Sequence, residues 1–301
     1  MYPEPVVLLI TFFITALGAI IGSFLNVCIY RLPRGYVSIA YPPSHCPHCG
    51  TWLHWFDNIP ILSWLTLAGA CRYCRSPIRF RYVLVESLTA FLFFCCARFI
   101  VIDPVASFVS LNEQERWLAL GISLYLVADL MVITFIDMDY RIIPDGLTYP
   151  GIIIAPIFSA IFPVFHNATS VITEPHLLGF LSSVLGIVVG GGSLYVVGVI
   201  GKIIFHKDAM GFGDVKMMAM VGGLLGWDAA LLAFLLACVG GTVIGIGWML
   251  ITKDHYIPFG PYLAVGTVVV LFYHHETVHF IFTVWPQLIS RLMGINFPPG
   301  Y

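Results

Sequence analysis

Eight stretches of this 301-residue chain are long and apolar enough to be read as membrane-crossing helices: 6–30, 83–102, 117–136, 147–165, 177–205, 213–226, 229–251 and 257–275. A helix needs about 20 mostly apolar residues to cross a bilayer. The sixth run is short and rich in glycine and methionine, and a ninth, 278–290, is too short to span. Charge agrees with this pattern. Asp, Glu, Lys and Arg make up 10% of the chain, against roughly 25% in a soluble domain. So few charges exclude a soluble enzyme, a disordered chain and an electrostatic nucleic-acid binder. The fold class expected is an all-α membrane protein with about eight transmembrane helices, since helices satisfy their own backbone in lipid.

The first run is read as a retained helix and not a signal peptide. Met1 to Pro5 carry Glu4 and no Lys or Arg, while Arg31 and Arg34 follow the run directly. Eight alternating spans place Arg31, Arg34, Arg72, Arg75, Arg79, Arg81, Arg141, Lys202, Lys207, Lys216 and Lys253 on one side, which is 11 of 14 basic residues. Arg98, Arg116 and Arg291 fall toward the other. Basic loops stay in the cytosol, so the loop 31–82 and the segments 139–146 and 206–212 are expected there, with both termini outside.

The 31–82 loop holds four of the eight cysteines and six Arg against Asp57. Some 50 residues are too few for a self-sufficient core. Two CxxC pairs, Cys46-Pro-His-Cys49 and Cys71-Arg-Tyr-Cys74, stand 21 residues apart. Four thiolates at this spacing suit one tetrahedral zinc ion, and four sulfurs leave no open position, so its role would be structural. Two disulfides are the rival reading, which a reducing cytosol disfavours. His45 and His48 are read as solvated loop residues or substitute ligands. Cys28, Cys95, Cys96 and Cys238 sit inside apolar runs and are read as packing residues.

Ionisable groups at membrane depth are costly and point to function. Asp137 lies at the cytosolic end of the third run, in Ile136-Asp-Met-Asp-Tyr-Arg-Ile-Ile-Pro-Asp145. Asp214 opens the sixth, in Gly211-Phe-Gly-Asp-Val-Lys216. The topology brings both to one membrane face although they are 77 residues apart. Two carboxyls sharing a site divide naturally into an ionised base and a protonated acid. Asp214 also reads as a helix N-cap, Asp145 as a cap or turn after Pro144, and Asp139 as solvated or paired with Arg141. Glu86 and Asp129 read as polar packing contacts. The chemistry alone leaves a peptidase and a transporter open.

The chain also resembles a known family, the type IV prepilin peptidases of the intramembrane aspartic class. The resemblance runs almost end to end. It rests on Gly22-Ser-Phe-Leu-Asn-Val-Cys-Ile-Tyr-Arg-Leu-Pro33, on the paired CxxC motifs with Asn58-Ile-Pro-Ile-Leu-Ser-Trp-Leu65 between them, and on Asp137 six residues before Ile143-Pro144. It rests further on Gly211-Phe-Gly-Asp214, which matches the GxGD signature shared with presenilin-type peptidases, and on Pro258-Phe-Gly-Pro261.

The resemblance implies a bacterial inner-membrane enzyme with Asp137 and Asp214 as catalytic residues. Its substrates would be type IV prepilins or the pseudopilins of type II secretion, cut on the cytosolic side after a Gly, with a mature first residue that is usually Phe. Members with both CxxC pairs resemble the bifunctional form, which N-methylates the new amine with S-adenosylmethionine. The expected organisation is a first transmembrane helix (1–30), a cytosolic cysteine-rich zinc-binding domain (31–82) and a transmembrane aspartic peptidase domain (83–301). Prepilin substrates and membrane lipid are the expected partners, and nucleic acid is not. A proton-coupled transporter using Asp129, Asp137 and Asp214 is the alternative. It calls for inverted repeats and midplane acids, which the sequence does not display. A zinc-bearing scaffold is a third reading, with no use for two reactive acids.

Overall fold

Helix forms at each of the eight apolar runs in the computed structural model, which describes residues 2–35, 38–163, 175–206, 210–252 and 258–287. The helices are α1 (Glu4–Arg31), α3 (Arg81–Cys96, prolonged by a wider turn through Ile102), α4 (Glu113–Tyr140), α5 (Asp145–Ile161), α6 (Pro175–Phe205), α7 (Phe212–Leu225), α8 (Trp227–Thr252) and α9 (Gly260–His279). A short helix in the cysteine-rich loop, α2 (Leu62–Thr66), is new relative to the sequence reading. Among the described residues, five helices are long and apolar enough to cross a membrane: those starting at Glu4, Arg81, Glu113, Pro175 and Trp227. α5 and α7 are shorter, and α9 carries His274, His275 and Glu276 near its end. The described residues hold no strand, only two isolated bridges, His45 with Trp52 and Ala70 with Pro77. Lys207, Lys253, Arg291 and the ends of the runs 147–165, 257–275 and 278–290 lie outside the described residues.

The chain divides into two compact units, 1–103 with 113–147, and 104–112 with 148–301. In the first unit, α1, α3 and α4 pack around Leu25, Cys28, Ile29, Val85, Met131, Val132, Phe135 and Ile136. Glycines let α1 and α3 touch backbone to backbone. A Cβ on Gly22 would lie 2.8 Å from the Cα of Glu86, and one on Gly18 would lie 2.7 Å from the Cβ of Phe93. Asn26 reinforces the seam by donating to the Tyr82 carbonyl at 3.1 Å. Buried Cys28, Cys95 and Cys96 act as packing residues, as expected.

In the second unit, α7 is the buried element. Its Met217, Met218, Met220 and Val221 are fully enclosed. α6 reaches it through small residues. A Cβ on Gly222 would lie 2.1 Å from the Gly186 carbonyl oxygen, and one on Gly190 would lie 2.4 Å from that of Met218. Ser183 donates to the Gly223 carbonyl at 2.8 Å. Close packing by small residues is the usual way helices associate in lipid, where the surrounding chains are as apolar as the helices. The glycines of the sixth run are therefore where α6 comes closest to α7.

Replacing Gly222 by Leu is expected to force α6 and α7 apart. Overpacking of this kind costs about 1–3 kcal/mol or more. Thermal unfolding in detergent should show a clear drop in midpoint, whereas Gly121→Ala, with open space around its Cβ, should not lower it, since Ala favours a helix interior over Gly.

Candidate active site and metal centre

The two CxxC segments fold into the same hydrogen-bonded turn. The amides of Cys46 and Cys71 donate to the carbonyls of Thr51 and Ser76, at 3.0 and 2.9 Å. Those of Gly50 and Arg75 donate back to Cys46 and Cys71, at 2.9 and 3.0 Å. Each turn needs a left-handed residue at its fifth position. Gly50 fills it in the first (φ 70°), and Arg75 fills it in the second (φ 61°) at a steric cost. This local repeat is hidden in the sequence because only the cysteines are shared.

The four sulfurs all lie within 4.8 Å of one another, and those of Cys46 and Cys74 are 3.8 Å apart. Sulfurs held about 2.3 Å from a central tetrahedral ion would be roughly 3.8 Å apart, nearly twice a disulfide bond. The group is thus suited to hold a metal ion. Hydroxyls flank it: Thr51 Oγ1 is 3.3 Å from Cys49 Sγ, and Ser76 Oγ is 3.3 Å from Cys74 Sγ. The hydroxyl and amide of Ser76 bring the Cys74 thiol down to about 6. Those of Thr51 lower Cys49. The amides of Cys49 and His48 favour a Cys46 thiolate, but burial and the Cys49 and Cys71 thiols push it up to about 11. A bound cation would hold all four as thiolates.

Asp57, the loop's single acid, ties the second turn down. Its carboxylate accepts from Arg72 Nε at 2.6 Å, Tyr73 Oη at 3.0 Å and the His54 amide at 3.3 Å. Burial works against ionisation, yet these donors outweigh it and hold the carboxyl below its usual range. Arg31 shapes the start of the loop by donating to the carbonyls of Ser38, Ile39 and Pro42, at 2.8, 3.1 and 2.6 Å.

Asp137 is buried in the last turn of α4, in the first unit. The chain turns sharply just after it: Arg141 takes a left-handed conformation (φ 58°) and its amide donates to the Asp137 carbonyl at 2.9 Å. Asp139 pairs with Arg81 of α3, where the sequence left it solvated or paired with Arg141. Arg81 also donates to the Phe135 carbonyl at 3.1 Å. Asp145 is the first residue of α5. Deeper in α4, Asp129 is buried, and its Oδ2 has no hydrogen-bond partner.

Asp214 is buried in the first turn of α7, in the second unit. Gly211 stands at the N-cap in extended conformation, and the Asp214 amide donates to its carbonyl at 3.1 Å. Gly211 is the N-cap and Asp214 the third residue of the helix; Asp214 Oδ2 lies 3.4 Å from where a Cβ on Gly211 would be. Lys216 lies over the rings of Tyr149 and Phe212, 5.3 and 5.0 Å from their centroids. Asp214 is thus not the N-cap residue itself but a buried carboxyl in the first turn of the most enclosed helix.

Residues 16–100 match the model of the bacterial peptidase A24 N-terminal domain, and 124–246 match that of the type IV leader peptidase family. The Aeromonas hydrophila prepilin leader peptidase/N-methyltransferase is 34% identical over 92% of this chain and 91% of its own length. The chain belongs to the type IV leader peptidase family. The enzymes of the same name from Stutzerimonas stutzeri and Myxococcus xanthus are 32% and 38% identical. The first match covers 85% of this chain and 88% of the relative, the second 80% and 63%. No solved structure gives a significant match. The cysteine turns lie within the first matched region, and both Asp137 and Asp214 lie within the second.

Asp57→Asn should loosen the second turn by up to about 1 kcal/mol, because Arg72, Tyr73 and the His54 amide lose a charged acceptor that water replaces only in part. Amide hydrogen exchange at Arg75 would read this as faster exchange at neutral pH. The depressed carboxyl contributes above about pH 4, and the contribution fades as pH falls through its lowered value. The gap between wild type and variant should therefore narrow in acid.

Proposed function

We propose that this protein is a multi-pass inner-membrane aspartic endopeptidase that removes the leader of type IV prepilins or type II secretion pseudopilins and then N-methylates the new N-terminus. The observation that carries the reading is the burial of Asp137 and Asp214, each at a helix end, in a chain of this family. The orientation puts the 31–82 loop in the cytosol and both termini in the periplasm, from the split of basic residues. The working division is a first helix (1–30), a zinc-binding domain (31–82) and a peptidase domain (83–301). Nothing among the relatives favours a transporter.

In the proposed reaction one aspartate, ionised, takes a proton from water as its oxygen attacks the scissile carbonyl carbon. The other, protonated, donates to the carbonyl oxygen as the tetrahedral centre forms. Collapse of that centre breaks the C–N bond, and the departing amine leaves with a proton from the pair. A glycine before the cut allows extended backbone to enter a narrow cleft. The substrate's apolar segment stays in lipid with its leader in the cytosol.

Zinc is the metal that four thiolates at tetrahedral spacing suit, held by Cys46, Cys49, Cys71 and Cys74 with Thr51 and Ser76 as hydroxyl donors to sulfur. It would serve structure alone, since four sulfurs close its coordination. S-adenosylmethionine supplies the methyl group in this reading, and no residue is assigned to it.

Asp137→Asn and Asp214→Asn should each abolish prepilin cleavage in a gel-shift assay, by more than the roughly 10²–10⁴ of a single general base, because the pair acts as a unit. Asp129→Asn should cleave normally, since its carboxyl has an unpartnered oxygen and an amide fits the same space. Near wild-type cleavage by Asp214→Asn would refute the mechanism.

Elemental analysis should find about one zinc per chain. Cys46→Ser or Cys71→Ser should lose it. Thr51→Val with Ser76→Ala should weaken zinc about 10–100-fold, measured by competition with a chelator. A metal-free protein with an ordered loop would contradict the assignment.

A further inference from the structure

The cysteine-rich loop leaves large apolar side chains on its surface. Trp55 is 79% exposed, and Leu62 and Leu65 are each 59% exposed. Leu62 and Leu65 stand three residues apart in α2, so they share one helix face. A soluble loop has no reason to present them.

Three observations place this face at the bilayer. First, the loop is strapped to a spanning helix. The Ile61 amide donates to Glu86 Oε2 at 2.7 Å, and Glu86 is buried in α3. Glu86 lies five residues inside α3, a depth of roughly 7–8 Å at 1.5 Å per residue. Ile61 also lines the apolar groove along α1 with Ala19 and Ala90. Second, the apolar belt is continuous. Leu84 and Leu88 bracket Glu86 on α3 and are exposed as a lipid-facing helix requires.

Third, much of the segment's backbone finds its partners within the protein, as lipid requires. The amides of Leu62, Ser63, Leu65 and Leu67 donate to the carbonyls of Pro60, Ile59, Ile61 and Ser63. The hydroxyls of Ser63 and Thr66 bond back to the Ile59 and Leu62 carbonyls, at 2.8 and 2.9 Å. Ile61 holds a left-handed conformation (φ 63°), which is strained for a β-branched residue and persists only where its surroundings enforce it. The Glu86 bond supplies that enforcement. Arg79, exposed two residues before α3 begins, stands at headgroup level.

We propose that the segment Trp55–Leu67 is a monotopic anchor, which seats Leu62 and Leu65 among the acyl chains of a leaflet with anionic headgroups, while Glu86 fixes its depth. Amphipathic elements with apolar side chains and flanking arginines bind such surfaces about 5–10 Å deep. The loop is then held against the membrane at its apolar face and through the Ile61–Glu86 bond, with the cysteine turns clear of the lipid. The inference rests on the membrane-spanning reading of α1 and α3.

The test places a photo-crosslinking amino acid at Leu62 or Leu65 in the full-length protein, reconstituted in vesicles of phosphatidylcholine with or without phosphatidylglycerol. Mass spectrometry then reads lipid adducts. Phe12, exposed on α1, is the positive control, and His48, exposed beside the first cysteine turn, is the negative one. Adducts at Leu62 and Leu65 but not at His48, with higher yield when phosphatidylglycerol is present, are expected. Glu86→Ala should lose the Leu62 adducts while Phe12 keeps its own, and Glu86→Gln, which retains an acceptor for the Ile61 amide, should preserve them. Adducts at Phe12 with none at Leu62 and Leu65 would overturn the anchor and leave the spanning helices standing. No adducts at Phe12 either would overturn both. Equal yields in the two vesicle types would remove the arginines from the account.

Discussion

Lipid offers no hydrogen-bond partner to an amide or a carboxylate, and the architecture follows from that constraint. Helices close their own backbone, and glycines bring them near enough to bury what must not face lipid. The clearest case is α7. The contact of Gly186 with Gly222 and that of Gly190 with Met218 draw α6 against it, so the helix that carries Asp214 in its first turn is surrounded by protein. In the first unit, Gly18 and Gly22 draw α1 against α3, and Arg81 at the head of α3 holds Asp139, two residues beyond Asp137. In the second unit a close-packed seam holds the helix that carries the acid, and in the first an ion pair ties the acid's helix to a close-packed neighbour.

Much of this was legible in the sequence. The apolar runs located helices α1 and α3 to α9, because a 20-residue apolar stretch has few other fates. The paired CxxC spacing located the cysteine cluster, and the structure brings its four sulfurs together at metal-binding distance. Buried carboxyls stood out because charge is so scarce in the chain.

Tertiary contact decided the rest, and residue type does not encode it. Asp139 pairs with Arg81, 58 residues away, and not with its neighbour Arg141 as local spacing implied. Glu86 read as packing, yet it accepts from the backbone of the loop. α2 was missed because five residues carry no helical period. The likeness of the two cysteine turns was missed because it lives in hydrogen bonds and in a left-handed fifth residue that is glycine in one and arginine in the other. Nor does any residue pattern announce a methyl-donor site.

Function enters where these levels meet. A metal-ready loop, a helix with Asp137 buried in its last turn and an enclosed helix with Asp214 buried in its first are the parts from which the proposed peptidase is built. The most direct measurement is the intact mass of a prepilin incubated with the purified protein in detergent and S-adenosylmethionine. The account predicts a product lacking the leader and heavier by one methyl group than the bare mature chain. A prepilin recovered at unchanged mass would contradict it.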